Sequence, residues 1–346
     1  MAYGGDHRSP HRIAPMRLQP VLAAAVLACG LTASIAGTLT ETAELESKLK
    51  ELAASHPGRV GICAQSAGDK PVCVNGEQRF SLQSVMKLVV GAAVMRAVDE
   101  GKMRLDDKVT LRREDLSVNI QPLADIVLKD GAFESTIEDL VRRAVVESDS
   151  AATDFLIARL GGVGAVQTLL DAAELHDIRI DRTERELQTE VTGLAWEPSF
   201  VDPEQLKAAR AKVSQKRQAK AFEAYLSDPR DTATPLAMVR FLRKLAAGQL
   251  LSPASTKHFL AVMSQTVTFP DRLRAGAPAG WTVGHKTGTS HSLNGVNGVT
   301  NDVGLLTAPD RGFVAVAAFI AESRAPAPAR AAVIAEAARR VTGAYR

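Results

Sequence analysis

Aromatic side chains are scarce: two Trp, three Tyr and ten Phe make up 4% of the 346 residues. That leaves too few flat faces for a surface that stacks bases, so no nucleic-acid partner is expected. Neither charge dominates, and a net charge of +3 singles out no partner. The apolar core of the N-terminal segment, Val21 to Ala28, is too short to span a bilayer, so no stable membrane insertion is expected. Cysteine occurs three times, and Cys63 and Cys73 have no histidine or aspartate company that would suggest a metal site. No internal repeat is visible. What is present is ordinary for a folded soluble chain, 46% apolar and 23% charged, and long enough for two domains or one with large insertions.

Met1 to Arg17 is polar, basic and rich in proline and histidine, and it runs into the small apolar stretch Leu18 to Ala36. This is the pattern of an export signal over 1–36, with Ser34-Ile35-Ala36 the best cut site and Met16 an alternative start. The protein is therefore expected in the periplasm or outside the cell. Val26-Leu27-Ala28-Cys29 fits a lipid-attachment box poorly, so anchoring through Cys29 is the lesser reading. Cys63 and Cys73 lie in two β-type runs, Arg59 to Ala64 and Pro71 to Asn75, around the turn chemistry of Ser66-Ala67-Gly68-Asp69-Lys70. They should fall near each other across a hairpin, either bridged or as two buried thiols.

Ser84-Val85-Met86-Lys87 opens the apolar run Leu88 to Met95. Serine and lysine at i and i+3 of a helix share a face, so an amine can reach the hydroxyl and activate it as a nucleophile. The burial implied by the apolar run would also set the free N–H groups of the first helical turn behind the serine. The competing reading of Ser84 is a helix cap. Ser47-Lys48-Leu49-Lys50 has the same spacing but sits among Glu41, Glu44, Glu46 and Glu51, the solvated face of a helix.

Helices are expected over Thr40 to Ala54, the Ser84 segment, Asp115 to Leu128, Thr136 to Val146, Ala151 to Leu160, Gly164 to Leu175, Pro235 to Gly248, Ser252 to Ser264 and Pro326 to Val341. Strands are expected over Trp281 to Gly284, Asn301 to Thr307 and Phe313 to Ala321. Asp181 to Arg230 reads as a long connection whose basic stretch (Lys207, Arg210, Lys212, Lys216, Arg217, Lys220) lies exposed. One hairpin near the start and strands near the end have to share an antiparallel sheet, which makes the middle an all-α insertion.

Two more motifs follow. Ser148-Asp149-Ser150 stands at the head of the Ala151 helix, where a cap would also want such residues. Lys286-Thr287-Gly288-Thr289-Ser290 follows a strand and offers a cation, hydroxyls and close backbone approach to an anion. In the order S-x-x-K, S-D-x, K-T-G, over roughly residues 40 to 346, the chain resembles the class A β-lactamases, in the variant with a long Ω-shaped loop. Arg182-Thr183-Glu184-Arg185-Glu186-Leu187-Gln188 is similar to the stretch that opens that loop, and Asp231-Thr232-Ala233-Thr234-Pro235 to its far end, with Arg182 and Asp231 as the closing ion pair.

The resemblance implies an α/β (α+β) fold of the β-lactamase/transpeptidase type, an antiparallel five-stranded sheet flanked by terminal helices plus an all-α domain. The α/β part takes 40–80 and 245–346, and the all-α part 81–244 with the loop 181–232. It implies a monomeric serine hydrolase of small β-lactams, with no cofactor and no metal. Ser84, Lys87, Ser148 and Glu184 would be catalytic; Ser150, Gln188, Lys286, Thr287, Gly288, Thr289 and Arg272 would bind substrate. Glu197, in Trp196-Glu197-Pro198, competes with Glu184 but lacks the surrounding arginine, leucine and amide. Ser150 replaces an asparagine, Gln188 another, and His285 an aspartate. No arginine occurs in Val299-Thr300-Asn301-Asp302, so Arg272 takes the carboxylate-binding role. A D-alanyl-D-alanine peptidase shares the fold but lacks the loop glutamate; a lactam-binding homologue with poor turnover is the third reading.

Overall fold

The structure is a computed structural model that describes Leu39 and residues 41–345; the stretch 1–36 expected as an export signal, with Cys29, lies outside the described residues. The chain runs α1 (Thr42–Ala54), β1 (Arg59–Ser66), β2 (Val72–Val74), β3 (Phe80–Ser81), the 3-10 turn Gln83–Val85, α2 (Met86–Asp99), β4 (Lys108–Arg112), the 3-10 turn Arg113–Asp115, α3 (Leu123–Asp130), β5 (Ala132–Thr136), α4 (Ile137–Arg142), the π turn Arg143–Glu147, α5 (Ser150–Leu160) and α6 (Val163–Ala172). It continues as α7 (Glu184–Glu190), the 3-10 turn Pro198–Val201, α8 (Pro203–Lys212), α9 (Gln215–Ser227), β6 (Thr232–Ala233), α10 (Pro235–Ala246), α11 (Pro253–Ser264), α12 (Leu273–Gly276), β7 (Thr282–Thr289), β8 (Ser292–Leu293), β9 (Val296–Ala308), β10 (Gly312–Ser323) and α13 (Ala327–Ala344).

The main sheet has the order β2-β1-β10-β9-β7, antiparallel throughout. To the five strands expected it adds a sixth, the two-residue β8, paired only to β9. Both faces are covered, which is why the strands read as nearly continuous apolar runs. Along β10 the period of two sends Val314, Val316, Ala318 and Ile320 into the core under α1 and α13. Ala315, Ala317, Phe319 and Ala321 go to the opposite core, shared with α2, α5 and α10. Helix α10, inside the 81–244 range, packs on β1 and β10. Cys63 and Cys73 face each other in the β1–β2 register, with Cα atoms 4.2 Å apart, and form a disulfide.

Apart from Lys87, helix α2 is apolar all round and buried from Met86 to Met95, as a helix in the middle of a core must be. The helix expected over Asp115 to Leu128 is replaced by a 3-10 turn, a loop and the short α3. Pro122 disfavours helix at Gln121, and Asn119 is left-handed at φ 63°. The β4–β5 hairpin went unread because β4 carries only two buried apolar residues, Val109 and Leu111. The segment 181–230 is no plain connection, since it holds α7, α8 and α9.

Candidate active site

Ser84 lies in the 3-10 turn that leads into α2, half-buried, while Lys87 one turn later is wholly buried. Gln83, just before the serine, is left-handed at φ 47°, a conformation a non-glycine residue holds only when its surroundings enforce it. Those surroundings are visible. Leu82 N donates to Asp231 O at 2.8 Å, and Asn301 Nδ2 donates to Ser81 O at 2.8 Å and to Leu82 O at 3.2 Å. Gly288 of β7 lies so close that a Cβ there would stand 2.5 Å from Leu82 O. The K-T-G stretch, expected to follow its strand, is thus part of β7, pressed against the serine turn by a position that only glycine fills.

The π turn delivers Ser148 in the left-handed region, φ 63°, and Asp149 then caps α5 by accepting from Ala152 N at 2.8 Å and Leu123 N at 2.9 Å. The cap reading thus fits Asp149, and Ser148 is left to face inward. Lys87 Nζ donates to Ser148 O at 2.6 Å and to Ser150 Oγ at 3.0 Å, with Ser148 Oγ at 3.4 Å. The Ser150 hydroxyl so keeps a contact to Lys87 that the missing amide would have made. Lys286 Nζ donates to Ser148 Oγ at 3.0 Å. Burial holds the Lys286 amine well below the usual lysine range, and the charge of Lys87 pushes the same way.

Glu184 opens α7, behind the Thr183/Glu186 capping box. Its Oε1 is buried, has no hydrogen-bond partner and lies 3.6 Å from Lys87 Nζ; its Oε2 accepts from Gln188 Nε2 at 3.3 Å. Asp154 fixes the helix start, accepting from Glu184 N at 2.7 Å, Arg185 N at 3.0 Å and Ser117 Oγ at 2.7 Å. Glu197 is exposed at the 3-10 turn before α8, away from this cluster. Gln188 Nε2 also donates to Gln83 Oε1 at 2.8 Å, and Gln83 Nε2 to Tyr225 OH of α9 at 2.7 Å.

Arg182 Nε donates to Asp231 Oδ2 at 2.6 Å, and its guanidinium also meets Glu190 and Asp228. Burial works against that charge, but the carboxylates outweigh it and raise the Arg182 pKa. At the far wall, buried Arg272 donates to Thr289 Oγ1 at 2.7 Å and to Asn301 O at 2.8 Å, with its guanidinium 3.9 Å from the Phe269 ring centre. Burial pushes its pKa down to about 10, which leaves it cationic at neutral pH. Thr287 Oγ1 shares a hydrogen bond with Thr268 Oγ1 at 2.7 Å. His285 Nδ1 lies 2.9 Å from both oxygens of Asp302, whose Oδ2 also accepts from Leu273 N beside Arg272.

Lys87, Ser148, Ser150, Glu184, Gln188 and Lys286 are therefore linked by contacts among α2, α5, α7 and β7, Gly288 is pressed on the turn that holds Ser84, and Thr287, Thr289 and Arg272 follow along β7. Ser47, Lys48 and Lys50 stay on the exposed face of α1, where Lys48 and Lys50 pair with Glu44 and Glu46. Asp154, Asn119, Gln83 and Tyr225 were not read from sequence. The one signal was Asp154, an ionisable residue on the buried part of α5.

The family profile described as "Beta-lactamase enzyme family" matches residues 44–345. The chain belongs to this family. A β-lactamase of Citrobacter koseri is 28% identical over 327 residues, covering 94% of this chain and 97% of that protein. The solved structure of a class A β-lactamase reconstructed as the last common ancestor of Gram-negative bacteria superposes with a TM-score of 0.70 at 34% identity, covering 87% of this chain and 98% of that one. A β-lactamase structure from Chitinophaga pinensis gives a TM-score of 0.69 at 26% identity, over 86% and 97%. The chain has the class A fold, and it is a serine β-lactamase by family.

Proposed function

We propose that this β-lactamase hydrolyses the β-lactam amide through an acyl-enzyme on Ser84. Ser84 Oγ attacks the lactam carbonyl, its proton passing to Lys87 or, through a water, to Glu184. The C–N bond breaks, and the ring nitrogen takes a proton from Ser148, whose hydroxyl is held by Lys286. The proton taken from Ser84 passes on to Ser148 and restores it; Glu184 then removes a proton from the water that attacks the ester and returns it to Ser84 Oγ as that C–O bond breaks. The oxyanion sits between the N–H groups of Ser84 and Thr289. Arg272, Thr287 and Thr289 hold the ring carboxylate; Ser150, Gln188 and Gly288 line the rest of the site.

The observation that carries this reading is the buried Glu184 Oε1, unpartnered and 3.6 Å from Lys87 Nζ. A buried carboxylate oxygen with no donor on it is poised to hold a water. The test pairs two variants in a chromogenic cephalosporin assay with mass spectrometry. Ser84→Ala should lose essentially all turnover and carry no adduct; near-wild-type turnover would remove Ser84 as nucleophile. Glu184→Ala should accumulate the acyl-enzyme, and accumulation in Glu197→Ala instead would reassign the base.

The same reading takes 40–80 with 245–346 as the α/β part and 81–244, with the loop 181–232, as the all-α part. It takes 1–36 as an export signal and the mature protein as a periplasmic or secreted monomer. The Cys63–Cys73 disulfide supports export, because such bonds persist in oxidising compartments.

A further inference from the structure

The basic helical stretch from Lys207 to Lys220, expected to lie exposed on the surface, falls in α8 and α9, which are not wholly exposed. Helix α9 seats Phe222 and Tyr225 against Leu187 and Val191 of the α7 region, with Gly298 of β9 leaving room for the two rings. Helix α8 rests on the loop that holds Val118. Arg210, at the end of α8, is half-buried; its Nη2 donates to Asn119 Oδ1 at 3.0 Å and to Gln188 O at 3.4 Å.

Both of those acceptors are neutral. Arg182, Arg185 and Arg143 each meet a carboxylate, but Arg210 has none within ion-pair distance among the described residues, and its Nε is buried with no acceptor at all. Withdrawal from water disfavours its charge, and no carboxylate offsets it. Beside it is a cavity of about 130 Å³ lined by Val191, Thr192, Arg210, Gln218, His291 and Leu293. Its walls continue two walls of the cleft. Val191 and Thr192 follow the helix that begins at Glu184, and His291 follows the strand that ends at Thr289.

We propose that this cavity is a second anion subsite, in which Arg210 binds a carboxylate carried on the acyl side chain of the lactam. It rests on the hydrolase reading for its substrate class and adds a preference for dianionic lactams over monoanionic ones. A half-buried guanidinium without a carboxylate partner is suited to a carboxylate, and the hydrogen-bonded chain Arg210–Asn119–Gln188–Gln83 ties that end of the substrate to the residue before Ser84.

The test compares benzylpenicillin with carbenicillin, which differs by one carboxylate on the side chain. Calorimetric Kd values on the Ser84→Ala protein should favour carbenicillin. In Ser84→Ala/Arg210→Gln that preference should fall by about tenfold to a hundredfold, the range for a lost charged hydrogen bond, and Arg210→Lys should restore part of it. With Ser84 intact, the ratio of kcat/KM for the two penicillins should follow the same order. Equal Kd values for the two ligands in the Ser84→Ala protein, or a preference that survives Arg210→Gln, would overturn the subsite. A Kd preference without any turnover by the intact protein keeps the subsite and removes the hydrolase reading, so the two fail separately.

Discussion

Lys286 Nζ is wholly buried, 3.0 Å from the hydroxyl of Ser148, and shares its surroundings with a second amine, that of Lys87. Its folded pKa is therefore lowered, while in the unfolded chain it returns to about 10.4. Between those two values the unfolded state binds the extra proton, so stability contributed by this site rises with pH and is weakest below the folded pKa. Lys286→Met removes the dependence. The difference in unfolding free energy between wild type and Lys286→Met, from urea midpoints at pH 7 and pH 9, should grow in favour of wild type by up to about 1.4 kcal/mol per pH unit. A difference that stays flat would mean the amine is not desolvated. The left-handed residues make a related point. Gln83 and Ser148 are both strained positions, and each is held by bonds from other elements.

At the scale of elements, α7 brings Glu184 to Lys87 only because both ends of its loop are tied down. One tie is Asp154 at the helix start. The other is the Arg182–Asp231 pair, in which the carboxylate also accepts from Asp181 N and Arg182 N. Arg182→Ala would leave Asp231 buried without its cation, a loss of about 3–5 kcal/mol for pairs of this kind. Guanidinium-chloride midpoints should fall accordingly, and deacylation should slow as Glu184 loses its fixed position. A variant with wild-type stability would show that the loop is held mainly by the packing of Leu187, Val191, Phe222 and Tyr225. The inserted α8 and α9 belong to the same arrangement, since they close one end of the cleft and reach Gln83 through Tyr225.

For the whole molecule, the large exposed apolar side chains among the described residues are Ile120, Leu128, Val267 and Phe269. Ile120 O accepts from Ser150 N and Phe269 lies under the Arg272 guanidinium, so two of the four border the cleft rather than forming a patch for a second subunit. The mature protein should sediment as a monomer at micromolar concentration, and a concentration-dependent dimer would point to an interface elsewhere. Several features were legible in the chain without coordinates. The S-x-x-K at the start of an apolar helix, S-D-x at a helix start and the K-T-G triplet carry local chemistry, and the apolar periods of α1 and β10 announce which faces are buried. Other features were decided only by folding. Asn119 and Gln188, or Gln83 and Tyr225, are far apart along the chain and have no local pattern that pairs them. Arg210 looks like one more surface cation until α8 is laid against the 118 loop and its guanidinium is drawn from water. Local sequence determines periodicity and capping because those depend on neighbours within a turn or two, whereas the burial of a charge and the partner it meets depend on which distant elements are packed around it.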